Sequence, residues 1–233
     1  MIDTTVRPQT RRGVATAAAA LFGASGLLFL LYPAVRPYSD YLNETTLDGA
    51  HAYASGGWIA AHVFGMLGFV LLGLAMQALR EVLRDTPADR IGVAATVVTW
   101  VGVGLTLPYY GAEDFALHAV GVRALGDGSP DLLDLVVQVR GGGTQMTMFA
   151  FGLVLVAAGT VTAAVAIWRS GVLARWSGIP LAVGFALFVP QFFGPPWMRV
   201  AHGAVLAAGA LLLAAELLRL RRGVADAWPG GPR

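Results

Sequence analysis

The stretch Thr96–His118, TVVTWVGVGLTLPYYGAEDFALH, decides how the chain is read. It starts as an apolar run of membrane type and finishes in Tyr109, Tyr110, Glu113, Asp114 and His118. At helical spacing Thr99, Thr106, Tyr110, Asp114 and His118 form one stripe, at steps of seven, four, four and four. Facing lipid, each of those polar groups would lose water and gain no partner. The stripe is therefore expected to face other helices or a wet cavity. Asp114 continues it most directly inward, with Glu113 turned about 100° around the helix. Pro108 is expected to kink the segment one turn before the acids.

Composition agrees with a membrane setting. Of the 233 residues 56% are hydrophobic and 13% charged, and the mean hydropathy is +0.65. Soluble domains carry about 25% charged residues. Lysine and cysteine are both missing, which excludes a lysine Schiff base, disulfides, thiolate metal sites and cysteine nucleophiles. No basic stripe interleaved with aromatics is present, so nucleic acid is not an expected partner. The lipid bilayer and a lipophilic small molecule are.

The apolar runs predict an all-α, polytopic transmembrane bundle, one integral membrane domain with helices at about 13–32, 57–79, 91–112, 145–168, 176–193 and 198–218. The first run begins like a signal peptide, but its core exceeds the usual length of roughly 7–15 residues, so it reads as a retained helix. Residues 33–49 read as an external loop carrying Asp40, Glu44 and Asp48. Residues 121–144 read as the long loop of the chain. Within it Ser129-Pro130-Asp131 opens a short amphipathic external helix, stopped at Gly141, that lies on the membrane surface or lids the helix ends.

Six helices put both termini on one side. Of the sixteen arginines, four (Arg36, Arg123, Arg140, Arg199) fall on the opposite side and twelve on the terminal side, including Arg7, Arg11, Arg12 and Arg233. The positive-inside rule then makes the termini cytoplasmic and the membrane the cell membrane. The histidines and tyrosines lie toward the outer end. Counting about 20 residues per span from the inner arginines puts His62, Glu113, Asp114 and His202 in one layer, with Gln145 and Gln191 at similar depth. These groups are expected to line one connected pocket open to the outer leaflet.

Two adjacent carboxyl groups near apolar walls suit a proton donor and its partner. Asp114 or Glu113 is the candidate donor, with His62, His202, Tyr110 and His118 orienting it or stabilising a cation. Trp58, Tyr109, Gln145, Gln191, Trp197 and Arg199 are the candidate substrate contacts. Arg199 beside Trp197 is either an anion anchor or an interfacial snorkelling arginine. The acids and tyrosines can equally be read as solvated interfacial groups and an aromatic belt. No metal or cofactor is expected. The alternative set for haem or a divalent metal is His62, His118 and His202, which follow no recognised ligand spacing.

The arginine-flanked first helix, YYGAEDFALHAVG (109–121) and RSGVLARWSGIPLAVG (169–184) resemble a class of actinobacterial multi-pass membrane proteins, a resemblance that implies six helices and no activity. Membrane-bound terpene cyclases are similar in size and use intramembrane carboxylates. They carry these in an early and a late helix, where this chain has His62 and His202, so no residue carries over. The leading expectation is a membrane enzyme doing acid–base chemistry, of the isomerase, cyclase or hydratase type, on a lipophilic, isoprenoid-like substrate. A histidine-ligated haem or metal redox protein and a small-solute binder or transporter are the alternatives.

Overall fold

The computed structural model describes residues 6–226, with side chains from 12 to 222. Arg7, Arg11 and Arg233 of the terminal cluster thus lie outside the described side chains. Helix α1 (Val6–Val35) leads through turns to the short α2 (Leu47–Tyr53) and to α3 (Gly56–Val82). Helix α4 (Asp89–Gly111) runs on through a π-helical turn (Ala112–Ala116) into α5 (Leu117–Asp127). A 3-10 turn (Asp131–Leu133) precedes α6 (Asp134–Gly141) and α7 (Gly143–Ser170). Helix α8 (Ile179–Ala186), a second 3-10 turn (Pro190–Phe193) and α9 (Pro196–Asp226) complete the described residues.

The described residues are thus all-helical. Five segments (12–35, 56–82, 89–127, 143–170 and 196–222) are long and apolar enough to cross a membrane, as in a multi-pass membrane protein. Helix α1 packs against α3 and α9, α4 against α3 and α7, and α8 against α7 and α9. The long helices therefore close into a ring through the short α8, which lies between α7 and α9.

The inner half of the polar stripe is used in that packing. The Thr99 and Thr106 hydroxyls donate back to the Ala95 and Gly102 carbonyls, at 2.8 Å each. Each then fits a glycine notch on α7, Thr99 at Gly159 and Thr106 at Gly152. A Cβ on Gly102 would stand 2.7 Å from the Gly152 carbonyl oxygen, so the two backbones are in contact there. Small residues allow this close approach where the hydrophobic effect does not drive association.

Two expectations need correction. Residues 121–144 hold more helix than the one expected to open at Ser129-Pro130-Asp131: α5 continues to Asp127 and ends in a left-handed Gly128 (φ +64°). The Ser129 N–H reaches the Ala124 carbonyl at 3.2 Å and the Gly128 N–H reaches Leu125 at 3.3 Å, a glycine-terminated cap that satisfies the last carbonyls. Helix α6 then folds over the helix ends, its Leu133 flank and Val136 buried with Tyr53, Trp58 and Leu117.

Residues 176–193 do not form one helix. Helix α8 stops at Ala186, because Pro190 has no N–H for the Ala186 carbonyl and its ring would collide with it. Tighter turns follow, with the Phe188 N–H on Phe185 and the Phe192 N–H on Val189, both at 3.1 Å. The broken segment still runs the height of the bundle: Gly178 packs on Ala164 and Ile167, Gly184 on Leu206, and Phe192 near Phe149.

Helix α4 continues through Pro108, and a π-helical turn holding Glu113 and Asp114 follows it.

Candidate functional site

At the end of the bundle remote from the termini, Arg140 joins Glu113 to a cluster of charged side chains. Arg140, in the last turn of α6, places Nε at 3.0 Å and Nη2 at 2.9 Å from Glu113 Oε1. The same guanidinium reaches Asp40 Oδ2 at 3.0 Å, the Tyr53 hydroxyl at 3.2 Å and the half-exposed Glu44 at 3.4 Å. Arg36, just past α1, pairs with Asp40 at 2.7 Å and lies 4.6 Å from the Trp58 ring centroid. Four chain segments are thereby tied through a planar donor fork that no lysine could replace.

Outside the membrane-crossing segments the ionisation follows from these contacts. Burial pushes the Asp40 carboxyl up, but Arg36 and then Arg140 outweigh it and hold it below the usual carboxylate range. Burial works against the Arg140 charge, and Glu113, Tyr53 and Asp40 more than restore it. Burial also raises the Tyr53 phenol, against the pull of Arg140, so that the group stays a neutral donor or acceptor.

Glu113 and the cluster of Arg36, Asp40, Glu44 and Arg140 together line a cavity of about 440 Å³. Tyr109 and Phe149 form one wall, stacked at 4.1 Å between ring centroids, and Tyr110 and Phe192 continue it. Arg199 lies on the same cavity. Leu42 and Phe193 mark the mouth, lining it while 86% and 87% exposed. Leu42 is held at φ +67°, a left-handed conformation costing roughly 1–2 kcal/mol for a residue with a Cβ. That backbone keeps an apolar side chain outside. The cavity thus has aromatic walls and six charged side chains on its lining, Arg36, Asp40, Glu44, Glu113, Arg140 and Arg199.

Behind Glu113 sits His62, fully buried. Its Nδ1 donates to the Trp58 carbonyl at 2.8 Å, which fixes the tautomer and leaves Nε2 facing Glu113 Oε2 at 3.8 Å. That nitrogen has no hydrogen-bond partner among the described residues. Glu113 lines the cavity and His62 lies behind it, outside the lining. The Trp58 indole secures the turn by donating to the Glu113 carbonyl at 3.1 Å.

Of the four residues expected to line one pocket, only Glu113 reaches the cavity. Asp114 is fully buried off it, with neither carboxylate oxygen hydrogen-bonded. The five-residue π turn shifts the helical phase, so Glu113, not Asp114, faces the site. His202 donates from Nε2 to the Gly184 carbonyl at 2.8 Å and supports the broken end of α8. His118 spends Nδ1 on the Tyr53 carbonyl at 2.8 Å, pinning α5 to α2. The three histidines thus serve three separate carbonyls, and no group of three or more His, Asp or Glu among the described residues could hold a metal.

Among the expected substrate contacts, Tyr109 and Arg199 line the cavity and Tyr110 joins them. Trp58 is buried beneath the arginines, Gln145 donates to the Gln138 carbonyl on the exterior, and Trp197 is exposed outside the cavity. Gln191 lies with His202 in a separate small hollow behind Tyr32. Arg36, Asp40 and Arg140 were not among the site residues expected from sequence. Their signal is four arginines set among acids at the end away from the other arginine clusters. Comparison with known protein families, with curated proteins and with solved structures found no match.

Proposed function

We propose that the protein is a cell-membrane enzyme that moves a proton on a lipophilic substrate held in the aromatic cavity. Glu113 gives or takes the proton and His62 is its reserve, an isomerase, cyclase or hydratase type of chemistry. The reading includes one integral membrane domain crossing six times, the broken α8 segment being the fifth crossing. Both termini are then cytoplasmic, and the cavity opens toward the outer leaflet, as the arginine distribution supports. The observation that carries the proposal is the position of Glu113, with one carboxylate oxygen fixed by Arg140 and the other between the cavity and an otherwise unpartnered imidazole nitrogen.

A solvent-exchange experiment tests it without knowing the substrate. Purified protein is incubated with a membrane lipid extract in deuterated buffer, and carbon-bound deuterium is read by mass spectrometry. The wild type is expected to label a lipid species, and Glu113→Gln to label it about 10²–10⁴-fold more slowly, the usual effect of removing a positioned acid or base. Equal labelling by wild type and variant, or none by either, would reject the enzyme reading and leave a binding protein.

A further inference from the structure

We infer that Arg199 anchors the headgroup of the cavity's ligand, which is therefore an amphiphile ending in an oxyanion, a carboxylate or a phosphate. This rests on the cavity being the binding site of the proposed enzyme. Three arginines line it. Arg36 is neutralised by Asp40, and Arg140 by Asp40, Glu113 and Glu44. Arg199 has no carboxylate partner among the described residues, and its Nε is buried without a hydrogen-bond acceptor. Its guanidinium carbon lies 5.7 Å from the Phe192 ring centroid and 6.0 Å from that of Tyr38, faces that hold a cation without cancelling its charge.

A snorkelling arginine carries its donors out to water. Arg199 keeps one donor inside and turns its charge onto the cavity. An entering oxyanion finds the other two guanidiniums already paired, and like charge disfavours a place beside Glu113. Its favourable position is at Arg199, where each N–H···O contact is charge-assisted. The stacked Tyr109 and Phe149 and the Phe192 ring then take the apolar body, and the exposed Leu42 and Phe193 allow passage from lipid.

The test uses the full-length protein in nonionic detergent, a conjugated-polyene fatty acid that fluoresces when bound in an apolar site, and its methyl ester. Under mildly alkaline conditions the wild type is expected to bind the acid about 10-fold or more tightly than the ester, as a hydrogen-bonded charge pair implies. Arg199→Gln is expected to bring the acid down to the ester's affinity without changing the ester's, which also shows that the variant is folded. Arg199→Lys is expected to restore part of the preference. Equal binding of acid and ester by the wild type, or an undiminished preference in Arg199→Gln, overturns the anchor and leaves the cavity reading standing. Failure of both probes to bind overturns both. Inorganic phosphate is expected not to displace the acid; displacement of the acid but not the ester would show a free-oxyanion site and overturn the amphiphile.

Discussion

Replacing Arg140 with methionine tests whether the charged cluster is structural. Methionine keeps much of the side chain's length and apolar stem, so the loss is mainly the guanidinium. The Arg140 side chain is 17% exposed and that of Glu113 15%, so the pair is largely out of water. Asp40 keeps Arg36 at 2.7 Å, but Glu113 keeps only His62, at 3.8 Å. Breaking a buried pair typically costs about 3–5 kcal/mol, and the surviving Asp40 partner argues for the lower end, about 3 kcal/mol. A chain of this size shifts its unfolding midpoint by about 2–4 °C per kcal/mol, so a fall of roughly 6–12 °C is expected. A surface pair would give at most about 1 kcal/mol and a few degrees. Thermal unfolding in detergent, followed by intrinsic fluorescence, separates the two cases, with Trp58 5.5 Å beneath Arg140 as a local reporter. Adding Glu113→Gln to Arg140→Met removes the orphaned charge and should recover at least half of the loss. An Arg140→Met midpoint within about 2 °C of wild type, or a double variant no better than the single, would refute the argument.

Two further outcomes are expected. The folded Asp40 carboxyl titrates below its unfolded value of about 3.9, so its contribution is complete above that pH and is lost as the pH falls through the folded value. Unfolding midpoints measured from neutral pH into the acid range should fall more shallowly in Asp40→Asn than in wild type, and an unchanged acid limb would count against the pairing. For topology, the native chain has no competing thiol, and the exposed Asp131→Cys should react with an impermeant maleimide in intact cells. Reaction only after lysis would reverse the proposed orientation.

Hydropathy blocks make the long helices legible because each span must be apolar over its whole length. The same signal misleads at 176–193, where the run is apolar throughout and only Pro190 marks the break. It also misleads at 121–144. There the charges of Arg123 and Asp127 read as loop, although they lie on the solvated face of α5. The stripe from Thr99 to Tyr110 is correctly read as buried, but its first half is packing against α7 glycines. Arg140 illustrates the remaining gap. It meets Asp40 across 100 residues and Tyr53 across 87, pairings that no local pattern encodes.

The exchange of Glu113 for Asp114 has a more specific cause. Counting residues at 3.6 per turn assumes an unbroken α-helix, and a π turn adds a residue, rotating the helix beyond it by about 100°. Such turns have poorer geometry and persist where their surroundings fix them. Here three elements do so. Trp58 from α3 donates to the Glu113 carbonyl, Arg140 from α6 grips the Glu113 carboxylate, and Tyr53 from α2 accepts from His118 just beyond the turn. With the turn relaxed to α geometry, Glu113 would leave the cavity wall and Arg140 would lose two of its contacts. Asp114, whose carboxylate has no hydrogen-bond partner among the described residues, would gain none of these. The widened turn and the cluster of charges therefore sustain one another, and together they put a carboxylate, backed by His62, on the wall of an aromatic cavity.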